Sequence, residues 1–269
     1  MLRIILPLTL TLAISLAQAA SLEAIQKSGQ IVIGVKDSSP PFSQMDTKTR
    51  ALKGYDIDFA LGIAKRLNVK PIFKTLESDD RIPWVKEGKV DIVIADLARS
   101  TEREKEVAFS TGYFVTDTRI LAKKGRFKTE KDLAGSQIAL TSGSSSVKLM
   151  RKSFPETKLA EFEDKPEMLK AVLAGVVDGM LGDGPVMTST LAQVPAAQRA
   201  QFEVSEFALD TKIFGVAMPK SEKTLQTAVN NALVDMETSG EALTIFNRWF
   251  GPQSSQPMGR IFKISPSRN

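Results

Sequence analysis

The chain has 269 residues, 42% of them hydrophobic and 25% charged, with a formal net charge of +5. That is the make-up of a globular protein long enough for one large domain or two ordinary ones. It contains no cysteine and no histidine, which excludes disulfides, thiolate nucleophiles, a serine–histidine–aspartate triad and the commonest transition-metal ligand. The charge is mild and no run of lysines and arginines marks a nucleic-acid surface. No cofactor or metal is expected.

Residues 1–19 have the form of a signal peptide: Arg3, an apolar run over 4–16 interrupted by Pro7, and the small-x-small site Ala17-Gln18-Ala19. The run is shorter than the roughly 20 residues of a spanning helix, so cleavage and export are expected. A buried strand over 31–35 leads into Lys36-Asp-Ser-Ser-Pro-Pro-Phe42, whose prolines fix the exit. A helix over 56–67, a strand over 69–75 and a helix ending at Gly88 follow. The almost continuously apolar 90–95 reads as a strand covered on both faces. It runs into Asp96 and then Ser100-Thr101-Glu102-Arg103, a helix cap with Arg103 in the first turn.

Residues 118–125 are extended and leave the first lobe. Beyond them come a strand over 137–141, a helix over 147–154 opened by Ser142-Gly143-Ser144-Ser145-Ser146, a strand over 159–162, a helix over 166–174 and a strand over 178–181. The extended 212–218 returns to the first lobe. Ser221 is expected to cap a long helix to Ser239, and Gly240 to start a last one through Phe250. The tail, 251–269, is rich in proline, serine and glycine without helical periodicity. Alternating strands and helices predict an α/β fold with parallel sheets.

One pattern occurs twice. Val85-Lys-Glu-Gly88-Lys-Val-Asp91-Ile-Val-Ile-Ala-Asp96 is echoed by Val172-Leu-Ala-Gly175-Val-Val-Asp178-Gly-Met-Leu-Gly-Asp183. Each copy holds a helix end, a glycine suited to the C′ position, an aspartate opening a strand and a second aspartate closing it. Two similar lobes are therefore expected, each ending a strand on a carboxylate, with a ligand in the crevice beyond the strand ends.

Among single residues, Arg103 offers a fork of donors suited to a carboxylate, and equally fits a solvated helix beside Glu102, Glu104 and Glu106. Gly143 and the hydroxyls of Ser144, Ser145 and Ser146 sit at a helix start, fit for an anion or for ordinary capping. Asp183 precedes Gly184-Pro185, so it reads as an N-cap or as the counter-charge of an ammonium. Lys36 and Arg81 alone read as surface charges. Trp84 and Trp249 read as core.

Taken together, Pro40-Pro41-Phe42-Ser43, Gly54-Tyr-Asp-Ile-Asp58, Arg81-Ile-Pro83, Gly88-Lys-Val-Asp91, Ser100-Thr-Glu-Arg103 with Phe109-Ser110, Thr141-Ser-Gly143 and Trp249-Phe-Gly251 resemble the extracytoplasmic solute-binding proteins of polar amino-acid ABC importers. The finer match of Lys36-Asp-Ser-Ser-Pro-Pro-Phe-Ser43, Ser78-Asp-Asp-Arg-Ile-Pro83, Thr118-Arg-Ile-Leu-Ala-Lys-Lys-Gly125 and Pro257-Met-Gly-Arg-Ile-Phe262 is to the glutamate/aspartate-binding branch. The resemblance implies a type II periplasmic-binding-protein fold with two hinge strands: lobe one over 20–117 plus 214–250, lobe two over 118–213.

It implies a periplasmic monomer that binds an amino acid without catalysis and docks on a membrane ABC permease. Arg103 matches the arginine for the ligand α-carboxylate, helped by Ser144, Ser145 and Ser146, and Asp183 matches the acceptor of the α-ammonium. Lys36 falls where the branch has an arginine for the side-chain carboxylate, Arg81 on a second arginine, and Lys165 near a histidine. Ser78 completes the set. Asp96 replaces a small residue, Ala98 a hydroxyl, and Ser39 stands where many members have a stacking aromatic. An exported dehydratase or lyase on the same fold, and a ligand-binding sensor module, are the alternatives.

Overall fold

The computed structural model describes residues 21–266, so the expected signal peptide lies outside the described residues. The first sheet and its covering are made by α1 (Leu22–Ser28), β1 (Gln30–Val35), the ribbon strands β2 (Ser38–Ser39), β3 (Ser43–Met45) and β4 (Leu52–Lys53), α2 (Tyr55–Arg66), β5 (Lys70–Thr75), α3 (Arg81–Lys86), β6 (Ile92–Val93), α4 (Thr101–Glu106) and β7 (Ala108–Phe109). The long β8 (Phe114–Lys123) carries the chain across. A 3-10 turn (Glu130–Leu133), β9 (Gln137–Thr141), α5 (Ser145–Ser153), β10 (Lys158–Phe162), α6 (Lys165–Leu173), β11 (Gly179–Asp183), α7 (Gly184–Gln193), α8 (Ala196–Arg199) and β12 (Phe202–Val204) build the second lobe. β13 (Thr211–Phe214) returns to β14 (Ala217–Met218), α9 (Lys223–Thr238) and α10 (Glu241–Phe250).

The sheets run β5-β1-β6-β14-β7 and β10-β9-β11-β8-β12. Each is mixed, not wholly parallel as expected: β5, β1 and β6 are parallel, as are β10, β9 and β11, but β14, β7, β8 and β12 pair antiparallel. The antiparallel members are the strands by which the chain leaves and re-enters each lobe, so their direction follows from the crossing. β8 and β13 pair over Phe114–Asp117 and Thr211–Phe214, giving two connections side by side, the geometry of a hinge.

Both copies of the repeat fold alike. Gly88 and Gly175 take φ of 67° and 70°, and Asp91 and Asp178 each accept a backbone N–H of the neighbouring strand, from Val32 and Gln137, at 2.7 Å. The first strand is shorter than expected. Only Ile92–Val93 is paired as strand although 90–95 is wholly buried, because the backbone turns into the left-handed region at Asp96, φ 43°.

Ser221 does not cap α9: its hydroxyl donates to the Glu222 carboxylate at 3.2 Å. Trp84 and Trp249 are half-buried and pack against the core as expected; the Trp249 indole donates to Asp58 at 2.8 Å. Around the hinge, Phe42 meets Phe114 and Phe214 at centroid distances of 4.9 and 5.2 Å, which anchors the crossing strands in the core of lobe one. The tail up to Ser265 has neither helix nor strand. It still packs on that core through Phe262, 5.3 Å from the Phe114 ring, and through the Arg260–Glu237 ion pair.

Candidate functional site

Between the two sheets lies a cavity of about 30 Å³ lined by Ser78, Arg81, Asp96, Ala98 and Arg103 from the first lobe and Thr141, Ser144, Ser145, Ser146, Lys165, Leu181, Gly182 and Asp183 from the second, with Lys212 and Phe214 from the hinge strand β13. The volume suits one or two waters, so a larger molecule enters only when the lobes part. Ten of the eleven sequence-derived candidates line it. The eleventh, Lys36, is buried behind the lining and donates from Nζ to Ser78 Oγ at 2.8 Å.

Both strand-closing aspartates of the repeat reach the cavity. Asp96 is held by its backbone, whose N–H donates to the buried Asp56 carboxylate at 2.7 Å. Its own carboxylate lies 3.3 Å from Arg81 Nη1 and 3.8 Å from Lys165 Nζ. Burial opposes its ionisation, but Lys165, Arg81 and Lys36 more than offset that and hold the carboxyl below the ordinary range. Asp183 occupies the N-cap position of α7 without making a cap bond. Its carboxylate instead meets Lys212 Nζ at 3.4 Å, and burial, only partly offset by Lys212, holds its pKa above the ordinary value.

Ser100 caps α4, its hydroxyl accepting the Arg103 N–H at 3.3 Å, and this fixes the direction of Arg103. The guanidinium donates to Ala98 O at 2.8 Å and, across the gap, to Gly143 O at 2.9 Å. Burial and then Arg81 lower its pKa to about 10, which leaves it charged at neutral pH. Arg81 also reaches Gly143 O, at 3.4 Å, while Lys165 crosses the other way to Ser39 Oγ at 2.6 Å. The Ser144 hydroxyl at the start of α5 is buried without a partner among the described residues, beside free N–H groups of the first turn.

Five cations, Lys36, Arg81, Arg103, Lys165 and Lys212, thus stand against the carboxylates of Asp96 and Asp183 and, behind Asp96, the buried carboxyl of Asp56, a surplus of two or three positive charges according to whether Asp56 is ionised. Glu77, 3.9 Å from Lys36, is exposed. Lys212 was not among the sequence-derived candidates. Its signal is the alternation of β13, in which Lys212 and Phe214 turn inward and Thr211 and Ile213 outward. Among the described residues no cluster of three or more metal-ligating side chains occurs and no helix is long and apolar enough to cross a membrane.

Two α/β lobes joined by paired strands, with a charged cavity between them, define a ligand-capturing bilobal receptor. The chain belongs to the bacterial extracellular solute-binding proteins, family 3, whose pattern matches residues 31–252. It is 30% identical over 234 residues to the ABC transporter glutamine-binding protein GlnH of Bacillus subtilis, covering 85% of this chain and 84% of that one. It is 29% identical over 263 residues to the glutamate/aspartate import solute-binding protein of Salmonella typhimurium, covering 93% and 86%. An ancestral arginine-binding protein bound to arginine superposes with a TM-score of 0.78 at 32% identity, covering 83% of this chain and 99% of that one.

Proposed function

We propose that the protein is exported to the periplasm, captures an acidic amino acid, glutamate or aspartate, by closing its two lobes, and presents it unchanged to a membrane ABC importer. The observation that carries the choice of ligand is the surplus of cations around the cavity. A ligand with two carboxylates reduces it, a neutral amino acid leaves it, and a cationic one adds to it in a site largely removed from water. The relatives bind glutamine, glutamate/aspartate and arginine by name, so local charge must discriminate.

In this reading Arg103 with Ser144, Ser145 and Ser146 takes one carboxylate, and Arg81 and Lys36, behind Ser78, face the other. Asp96, an acid where an acidic ligand docks, is already neutralised by Arg81 and Lys165. Micromolar affinity corresponds to about 8 kcal/mol, within the range of two desolvated carboxylate–cation contacts after the cost of closure. Native mass spectrometry of the purified protein tests the reading. A co-purifying mass of glutamate or aspartate supports it, and one of glutamine or arginine refutes it.

A further inference from the structure

Lys212 changes what the cavity asks of its ligand. Its ammonium donates to Ser146 Oγ at 3.0 Å and lies 3.4 Å from Asp183 Oδ1, and the residue is only 8% exposed. Two neighbouring ladders hold this pair. Lys212 sits opposite Thr116 and Asp183 opposite Thr118, both on β8. The pair is therefore anchored to neighbouring positions of one strand, Lys212 within the hinge ladder and Asp183 at the edge of the second-lobe sheet.

A ligand ammonium seeking Asp183 must compete with a cation tethered a few ångströms away, whose effective concentration is on the order of millimolar or more. Displacing it exchanges one ammonium for another and strands the Lys212 charge among four other cations. A carboxylate, by contrast, gains a donor: Nζ already stands at Ser146, in the first turn of α5, where N–H groups and the partnerless Ser144 hydroxyl face the cavity.

We propose that Lys212 is a built-in substitute for the ligand's α-ammonium, so that the receptor selects for two carboxylates and accepts dicarboxylic acids with or without an α-amino group. This rests on the acidic-ligand reading above and narrows it to the chemistry recognised. Lys212 acts as a specificity-determining residue, through Asp183 and through the carboxylate site at Ser146.

The test is isothermal titration of the purified protein with two matched pairs, L-glutamate with glutarate and L-aspartate with succinate. The expected result is that each des-amino acid binds within about threefold of its amino acid, or more tightly. A larger preference for the amino acids overturns the proposal. Lys212→Met frees Asp183, and is expected to shift preference at least about tenfold toward the amino acids; an unchanged ratio also overturns it. The wild-type ratio decides the matter even if the variant does not fold. Should neither L-glutamate nor glutarate bind, the acidic-ligand reading itself falls; binding of L-glutamate alone removes only the role of Lys212.

Discussion

Arg103 of the first lobe donates to the backbone carbonyl of Gly143 in the second at 2.9 Å, so the residue matched to the ligand carboxylate also fastens the closed cleft. Arg81 shares the same acceptor at 3.4 Å. In the proposed reading, ligand grip and lobe closure therefore draw on one set of donors.

Arg103→Ala should weaken binding of an acidic ligand by about 2–5 kcal/mol, because a carboxylate buried opposite it loses its charged partner. The side chain is outside the main core clusters, so the thermal midpoint should hardly move. Calorimetry and a melting curve on the same sample separate the two effects, and unchanged affinity would remove Arg103 from the site.

Gly143 has φ of 64°, and a Cβ built there collides with the Asp79 carboxylate and comes within 3.0 Å of the Asp79 Cα. Gly143→Ala thus carries left-handed strain of about 1–2 kcal/mol and a collision across the closing lobes. The expected result is weaker binding, at least about tenfold, with a larger radius of gyration in saturating ligand by small-angle X-ray scattering. Wild-type compaction in the variant would show that closure does not bring these two residues together.

Burial, and then the Lys165 charge, lower the Lys36 pKa to about 8. Below that pH the ammonium is charged and attracts an acidic ligand; above it the ligand must bring a proton with it. Affinity for glutamate should fall above pH 8, by up to about tenfold per pH unit, with proton uptake visible as a buffer-dependent heat. Lys36→Met should abolish that dependence and weaken glutamate far more than glutamine. Equal losses for both would mean that Lys36 does not read the side-chain carboxylate.

Asp56 is fully buried, accepting from Tyr113 Oη at 2.8 Å as well as from Asp96 N. Burial, and then the Asp96 carboxylate, raise its pKa from 3.8 to about 7. A raised folded-state value means that its contribution to stability is complete below the unfolded pKa and is lost as pH climbs through 7. Asp56→Asn removes the titration. The stability difference, wild type minus variant, should therefore decline between about pH 4 and 7, by no more than about 1.4 kcal/mol per pH unit, and level off above that. A difference flat with pH would show that Asp56 stays ionised throughout.

Much of this was legible in the sequence because the repeat is local: each copy spells out helix end, glycine, clasping aspartate, strand and cavity aspartate in one uninterrupted stretch. Arg103 and Ser144, Ser145 and Ser146 were legible for the same reason, being fixed by helix starts. What local pattern hides is pairing across distance. Asp96 showed in the sequence only as an acid in place of a small residue; its partners Arg81 and Lys165 come to it from distant elements. Asp183 read as either cap or counter-charge, and its partner Lys212 lies in a strand whose two inward positions are too few to stand out. The mixed direction of the sheets likewise depends on where the chain crosses between lobes, which helix and strand periodicity does not record.

The most direct measurement is a side-by-side titration of the purified protein with L-glutamate, L-glutamine and L-arginine at neutral pH. The cation surplus predicts L-glutamate tightest, L-glutamine weaker by about tenfold or more, and no measurable binding of L-arginine. Tighter binding of L-arginine or L-glutamine than of L-glutamate would contradict the account.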